Sequence, residues 1–310
     1  MTKDAPGSSV ERAVNPVSPR VDPVRDTRRF VLYFAGLIAF YAVALVITRP
    51  HWGGGQDELL KVVVGLMFAP TVGATVAAVF GPGIIRFGSW SRWLFAAFVP
   101  PLAVLAVTLT ATGLGADVQV HGEYFVLVLV MLVPASMLSS LTAIGEEIGW
   151  RGFLWPLFRR RMSFVVSSAL MAAIWWLYHA PLVFAGLYGS VSGLPAFAVA
   201  IVGVVLFVGV LTERSRSIWP SVLTHGSWNA FVATRFVAAR GTDDRLVTGS
   251  DTLLGEFGWL AAVTMLLLGV GFAWWHLRTP TRDKIPTSGP TGYEATVLAQ
   301  WFRRKPKPTT

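Results

Sequence analysis

The chain has 310 residues, of which 54% are hydrophobic and only 14% are charged. Soluble domains usually carry about 25% charged residues, so this composition indicates a membrane protein. Cysteine is absent, which excludes disulfides, thiolate metal sites and a cysteine nucleophile. The formal net charge of +9 is concentrated in two polar, basic tails at residues 1–29 and 279–310. Their composition is typical of disordered segments, and we expect no nucleic-acid partner.

Apolar runs of about 20 residues recur along the chain, and each is long enough to cross roughly 30 Å of hydrocarbon. Because the runs are continuous rather than alternating, they predict helices and not a β-barrel. The predicted fold class is an all-α, polytopic helical membrane protein with about eight transmembrane helices in a domain of residues 30–278. The spans are predicted at about 30–48, 59–80, 93–111, 124–150, 164–186, 195–212, 218–238 and 257–277.

Basic residues predict the orientation of these helices. With both termini in the cytoplasm, 21 of the 26 Lys and Arg residues fall on the inner side and five on the outer side. This split follows the positive-inside rule and favours an even number of spans. We therefore expect two disordered cytoplasmic tails and a multi-pass protein of the plasma membrane. The excess of Arg over Lys is typical of high-GC bacterial genomes and suggests a bacterial source.

Three charged side chains stand together in the segment GEEIGWRGF (145–153), at the end of an apolar run where each charge is costly. Glu147 and Arg151 are four residues apart, so on a helix they share a face, with the acid first, the favourable order for an ion pair. Glu146 points about 100° away around the helix. Glu147 is thus neutralised, and Glu146 stays free for chemistry. The alternative from spacing alone is a solvated helix end at the membrane interface.

Two later spans also carry polar side chains among apolar ones. His225 and Asn229 are four residues apart, so they are expected on one face of a helix, where they can direct hydrogen-bond donors at a common spot. His179 stands in IWWLYHAPL (174–182), two residues before Pro181. The structural alternatives are an interhelical hydrogen-bond pair for the first two and a buried, satisfied histidine for the third.

Taken in order, EEIGWR (146–151), WWLYH (175–179) and HGSWN (225–229) resemble the three motifs of the CAAX protease and bacteriocin-processing family of intramembrane endopeptidases. The family pattern is Glu-Glu-x-x-x-Arg, then Phe-x-x-x-His, then His-x-x-x-Asn or another residue. The resemblance covers a catalytic core of about residues 124–238. One departure is visible, because Trp175 stands where the family has Phe, and ring packing is expected to be kept.

The resemblance implies four catalytic residues. Glu146 and His179 would polarise a water for attack on a peptide carbonyl. His225 and Asn229 would donate hydrogen bonds to the developing oxyanion, where one donor can contribute about 3 kcal/mol. Glu147 would, with Arg151, fix the helix that carries Glu146. The implied substrate is a peptide or small membrane protein in the lipid bilayer.

The family is often labelled metalloprotease, and a divalent metal such as zinc would have three candidate ligands: Glu146, His179 and His225. No His-Glu-x-x-His motif is present, and we favour metal-free water activation. Two other functions remain open from the residues. Buried titratable groups could serve a proton-coupled transporter, and the fold could serve as a non-catalytic scaffold or bacteriocin-immunity protein.

Overall fold

The computed structural model of the protein describes residues 23–52, 62–78, 91–236 and 245–279. Most of these residues are helical. The α-helices are α1 (Pro23–Thr48), α2 (Ala69–Ala78), α3 (Val99–Gly113), α4 (Phe125–Gly149), α5 (Trp155–Arg159), α6 (Phe164–Phe184), α7 (Leu194–Ser215), α8 (Trp219–Ser227) and α9 (Trp259–Arg278). Two π-helical segments, Trp150–Leu154 and Trp228–Val232, follow α4 and α8. Short 3-10 turns lie at Arg49–His51, Ser91–Phe98, Gly122–Tyr124 and Val191–Gly193.

Within the described residues, six helical segments are long and apolar enough to cross a membrane. They are 24–51, 93–113, 122–159, 164–184, 194–215 and 259–278. This confirms the all-α polytopic fold. The predicted spans 59–80 and 218–238 differ: the first contains an apolar helix at 62–78, and the second is α8 with its π-helical segment, ending at Val232. Within the described residues, both are shorter than the roughly 20 residues that a full crossing requires.

The first described helix begins within the predicted N-terminal tail. Helix α1 begins at Pro23, so residues 23–29 belong to a helix and not to the predicted disordered tail. Residues 1–22 and 280–310 lie outside the described part of the chain, as do the ends of the predicted spans at 59–61, 79–80 and 237–238.

Among the described residues, one two-stranded antiparallel sheet, which the apolar pattern does not predict, joins two loops. Strand β1 (Val118–Val120) pairs with β2 (Val247–Gly249), with Val118 opposite Gly249. His121 adds a side-chain hydrogen bond of 2.8 Å to Thr248 across the two loops. The strand pair therefore joins the loop before α4 to the loop before α9.

A single helical segment, 122–159, carries the EEIGWR motif. Helix α4 passes Pro134 without ending, and the π-helical segment joins it directly to α5. Glu146 consequently lies 13 residues before Arg159, about 20 Å along the helix. The acid is thus placed well inside the span rather than at its end.

Two glycines let other helices approach the motif closely. A Cβ atom at Gly149 would overlap Pro70 of α2, and one at Gly226 would overlap Ser140 of α4. Small residues at helix contacts permit this separation. As a result α8, which carries His225, packs directly against the part of α4 that leads to Glu146.

Partly buried ion pairs join the helices at the end of the bundle that carries the basic turn 159–161. Asp26 of α1 accepts hydrogen bonds from Arg160 (3.4 Å) and Arg161 (3.1 Å). Glu213 of α7 accepts from Arg159 (2.5 Å) and from Nε2 of His276 (3.0 Å). His276 is thus part of a network, although its position in the sequence suggested no special role.

Candidate active site

Glu147 is the centre of a fully buried ion network. Its Oε1 accepts hydrogen bonds from Nη1 of Arg151 and from Nδ1 of His225, both at 3.1 Å. The side chains of Glu147 and Arg151 have no exposed surface. The predicted pairing of these two residues is present, and the contact with His225 is an addition that helical spacing cannot predict. Because the carboxylate occupies Nδ1 of His225, the Nε2 atom is the one left for other partners.

Glu146 is also buried, at 2% exposure, and is therefore not part of a solvated helix end. Two indole N–H groups donate to its Oε2 atom, from Trp150 at 3.0 Å and from Trp175 at 2.8 Å. Hydrogen bonds to an ionised acceptor are about twice as strong as neutral ones, so the two tryptophans hold this carboxylate in one orientation. Both reach the same oxygen, which leaves Oε1 without a tryptophan donor.

Trp175 does more than fill the place of the family's phenylalanine. Besides its bond to Glu146, its ring lies 4.5 Å from the guanidinium carbon of Arg151, a cation–π contact, and 5.3 Å from the ring of His225. Its backbone carbonyl accepts a 2.9 Å hydrogen bond from Nδ1 of His179. A single residue of α6 therefore contacts three of the four charged or titratable groups of the other motifs and the histidine of its own.

His179 is held in one tautomer by that carbonyl. A carbonyl oxygen carries no proton, so Nδ1 must be the donor and Nε2 carries the lone pair. The imidazole is packed among three aromatic rings, Tyr178 (5.0 Å), Tyr188 (5.4 Å) and Phe197 (5.4 Å). The ring position and the proton are both fixed, which suits Nε2 to accept a proton or to bind a water.

Three of the four predicted catalytic side chains, His179, His225 and Asn229, line one cavity of about 40 Å³, together with Trp175. A cavity needs about 10–15 Å³ to hold a water molecule, so this one has room for a water. Glu146 is not among the lining residues, but it lies within electrostatic range of both histidines. Its link to the cavity wall is the indole of Trp175.

Asn229 lies on a helical segment whose winding differs from that of a regular α-helix. Helix α8 ends at Ser227, and Asn229 lies in the following π-helical segment. π-Helical turns occur frequently at functional sites. The other π-helical segment contains Arg151, so two of the three motifs carry this feature. The expected clustering of His225 and Asn229 is present, although the helix between them is not the regular α-helix on which the expectation rested.

Glu256, a cavity residue outside the three sequence motifs, lies in the loop before α9. It is 7% exposed and lines the same cavity as both histidines. The hydroxyl of Tyr188 donates to its Oε1 at 2.5 Å, and the indole of Trp228 also donates to it. Burial raises the pKa of Glu256 and that of Tyr188. Loop acids are normally solvated, so nothing in the sequence distinguishes this one.

The candidate metal ligands do not come together in a metal-binding arrangement. In the described parts of the chain, no group of three His, Asp or Glu side chains is placed to hold a metal ion. The reason lies in the contacts above. Nδ1 of His225 faces Glu147 and Oε2 of Glu146 faces the two indoles. The residues as arranged do not fit a zinc site made from Glu146, His179 and His225.

The fold and these contacts define a polytopic helical membrane protein with a buried acid–histidine centre. Residues 125–231, about a third of the chain, match the family model described as Type II CAAX prenyl endopeptidase Rce1-like. The match includes all three motifs and confirms the resemblance seen in the sequence. A segment of 52 residues is 40% identical to CAAX prenyl protease 2 of Methanococcus maripaludis. It covers 17% of this chain and 19% of that relative, so the chain spans about a fifth of the relative's length in this match.

Proposed function

We propose that the protein is an intramembrane endopeptidase that hydrolyses a peptide bond with a water activated by Glu146 and His179. The single observation that best supports this function is the surroundings of Glu146. A carboxylate at 2% exposure accepts two indole N–H bonds on one oxygen, beside a cavity with room for a water. Such placement suits a general base that must be oriented before the substrate arrives.

The first step is the attack of water on the scissile carbonyl. The water oxygen forms a bond to the carbonyl carbon, and one of its protons passes to Glu146, whose Oε1 has no tryptophan donor. The lone pair on Nε2 of His179 orients the water from the other side. Positioned acid–base groups of this kind contribute about 10²- to 10⁴-fold to rate.

The tetrahedral oxyanion is stabilised by Asn229 and His225. The Asn229 amide donates through its N–H group. His225 donates through Nε2 only as an imidazolium, because its Nδ1 proton is directed at Glu147. With His225 in that state, the buried site holds Glu146 and Glu147 as anions and Arg151 and His225 as cations before the attack, and the oxyanion replaces the charge of Glu146 after it. The site is then neutral as a whole, which limits the cost of burying its charges.

The wider setting follows from the sequence. The substrate is a peptide or a small membrane protein, reached within the bilayer of the plasma membrane of a bacterium, and both termini face the cytoplasm. We propose metal-free water activation, because Nδ1 of His225 faces Glu147 and Oε2 of Glu146 faces the two indoles. The roles of transporter and scaffold need no oriented carboxylate beside a water-sized cavity.

The function is tested with purified protein in lipid nanodiscs and a library of internally quenched peptides. The wild type and the control Glu123→Gln, whose side chain is 65% exposed, should release fluorescence, whereas Glu146→Gln and His179→Ala should not. Cleavage by all four proteins at equal rates would contradict the proposal. If no peptide is cleaved, but Glu146→Gln protects cells from a bacteriocin as well as the wild type does, the scaffold function replaces it.

A further inference from the structure

The loop before α9 inserts a second carboxyl group into the cavity. Glu256 belongs to none of the three sequence motifs, yet it shares the cavity wall with His179, His225 and Asn229. Most of the remaining wall is apolar, formed by residues of α7 and by Met265 of α9. The polar end of this cavity therefore contains a carboxyl group for which the water-activation step gives no role.

The position of Glu256 is tightly determined. Tyr188 donates to its Oε1 at 2.5 Å, and the Tyr188 ring lies 5.4 Å from that of His179 at an interplanar angle of 34°. Trp228, next to Asn229 in the chain, donates to the same carboxyl group. Both partners of Glu256 thus adjoin predicted catalytic residues, one by ring contact and one by sequence.

The loop is anchored so that Glu256 cannot turn to solvent without disrupting its neighbours. Phe257 stacks on Phe197 of α7 at 4.4 Å and 10°. The same ring packs so closely on Gly189 that a Cβ atom there would overlap it. Gly255, with φ at +76°, supplies the left-handed turn just before the acid. Because the anchor and the turn flank Glu256 directly, the carboxyl group is directed into the cavity.

We propose that Glu256 is the general acid of the reaction, the group that protonates the amine leaving group. This inference rests on the proposed endopeptidase function. After water attack, the tetrahedral intermediate collapses, the C–N bond breaks and the oxyanion returns to a carbonyl. The nitrogen takes the Glu256 proton and leaves as an amine. The new carboxylic acid returns a proton to Glu256, and Glu146 passes the proton it took from water to the released amine, which departs as an ammonium, so both carboxyl groups end as they began.

The electrostatic surroundings of Glu256 are consistent with Glu146 acting as the base and Glu256 as the acid. Three charged or titratable groups act on Glu256. The donated hydrogen bond of Tyr188 and the charge of His225 favour its ionised form, whereas the negative charge of Glu146 favours its protonated form. Outside the cavity, Arg235 lies against Gly255 and pairs with Asp251. Burial is the largest influence and raises the pKa of Glu256. Two carboxyl groups in contrasting environments are the usual basis for separate acid and base roles.

A comparison of leaving groups tests the proposal. The substrates are a peptide that the wild type cleaves and the 4-nitrophenyl ester of its acyl part, whose leaving group departs without a proton. Glu256→Gln keeps the shape of the side chain and an oxygen for Tyr188. It should lower kcat on the peptide by about 100-fold or more and change kcat on the ester by less than about threefold. The rate with Glu146→Gln is subtracted as background.

Each outcome has a distinct meaning. Equal losses on peptide and ester would overturn the inference, because a structural role affects both substrates. Unchanged cleavage of the peptide by Glu256→Gln, with Glu146→Gln inactive, would also overturn it and leave the proposed function intact. Cleavage by Glu146→Gln would instead contradict the proposed function itself. Thermal unfolding of each variant, with Glu123→Gln as the matched control, shows whether the fold is kept.

A pH profile gives a second readout. The wild type should lose activity on the peptide as the pH rises through the raised pKa of Glu256, because the group must be protonated to act as an acid. With the ester, the same decline should be absent. An alkaline decline that is identical for both substrates would count against Glu256 as the proton donor.

Discussion

Trp175→Phe removes the indole N–H that reaches Glu146 and keeps an aromatic ring in the same place. The bond is 2.8 Å long and ends on a carboxylate with 2% exposure. Hydrogen bonds to charged groups contribute about 1.5–3 kcal/mol, and each 1.4 kcal/mol is a factor of ten in rate. If this bond orients the catalytic base, kcat should fall by about 10- to 150-fold. KM should change little, because the lost donor contacts Glu146 and not the substrate.

The adjacent tryptophan provides a matched control. In the described structure, the indole nitrogen of Trp176 is buried and has no hydrogen-bond partner, so Trp176→Phe removes the same atoms without removing a bond to Glu146. Trp150→Phe, which removes the other 3.0 Å bond, should resemble Trp175→Phe. The assay is peptide cleavage in nanodiscs, with kcat and KM measured separately. Equal kcat values for Trp175→Phe and Trp176→Phe would refute the positioning role of the indole.

Three further predictions concern the buried charges. Glu147→Gln leaves Arg151 without its 3.1 Å anionic partner and should lower the free energy of unfolding by about 3–5 kcal/mol; the double variant with Arg151→Met should recover much of the loss in thermal unfolding. Because burial raises the pKa of Glu256 above its ordinary 4.5, the folded protein binds that proton more tightly than the unfolded chain, so the stability from this group is lost as the pH rises. Glu256→Gln should therefore gain in Tm over the wild type as the pH rises above the ordinary pKa of 4.5, and a constant Tm difference would argue against it. Glu213→Gln weakens the contacts with Arg159 and His276 and should reduce stability by about 1–2 kcal/mol with kcat unchanged; a large fall in kcat would contradict the separation of this network from the active site.

The sequence predicts those parts of the site that depend on one helix. Glu147 and Arg151 pair as their four-residue spacing predicts, because both lie on one continuous segment of chain. The contact between Glu147 and His225 joins α4 to α8, and nothing local to either motif encodes it. The same holds for the bond from Trp175 to Glu146. In the sequence, Trp175 differs from the family pattern only as a larger ring, and its donor role depends on how α6 packs against α4.

The apolar pattern of the sequence does not predict two further features, the end of the helix near Val232 and the burial of Glu256. The chain at 218–238 is apolar enough to suggest a span, but it contains a helix that changes to π-helical winding at Trp228 and ends at Val232. Hydropathy averages over such changes. Glu256 immediately precedes the predicted span 257–277 and lies in the loop before α9. What the sequence lacks is the anchoring of that loop by Phe257 on Phe197, which buries the acid.

The rate at which the Glu146→Gln protein cleaves a peptide in nanodiscs, relative to the wild type, tests the central claim most directly. The substitution keeps the oxygen that the two indoles contact and removes only the ability to take a proton from water. A loss of about 10²-fold or more in kcat is predicted, with the unfolding temperature unchanged within a few degrees. Cleavage at the wild-type rate would contradict the account.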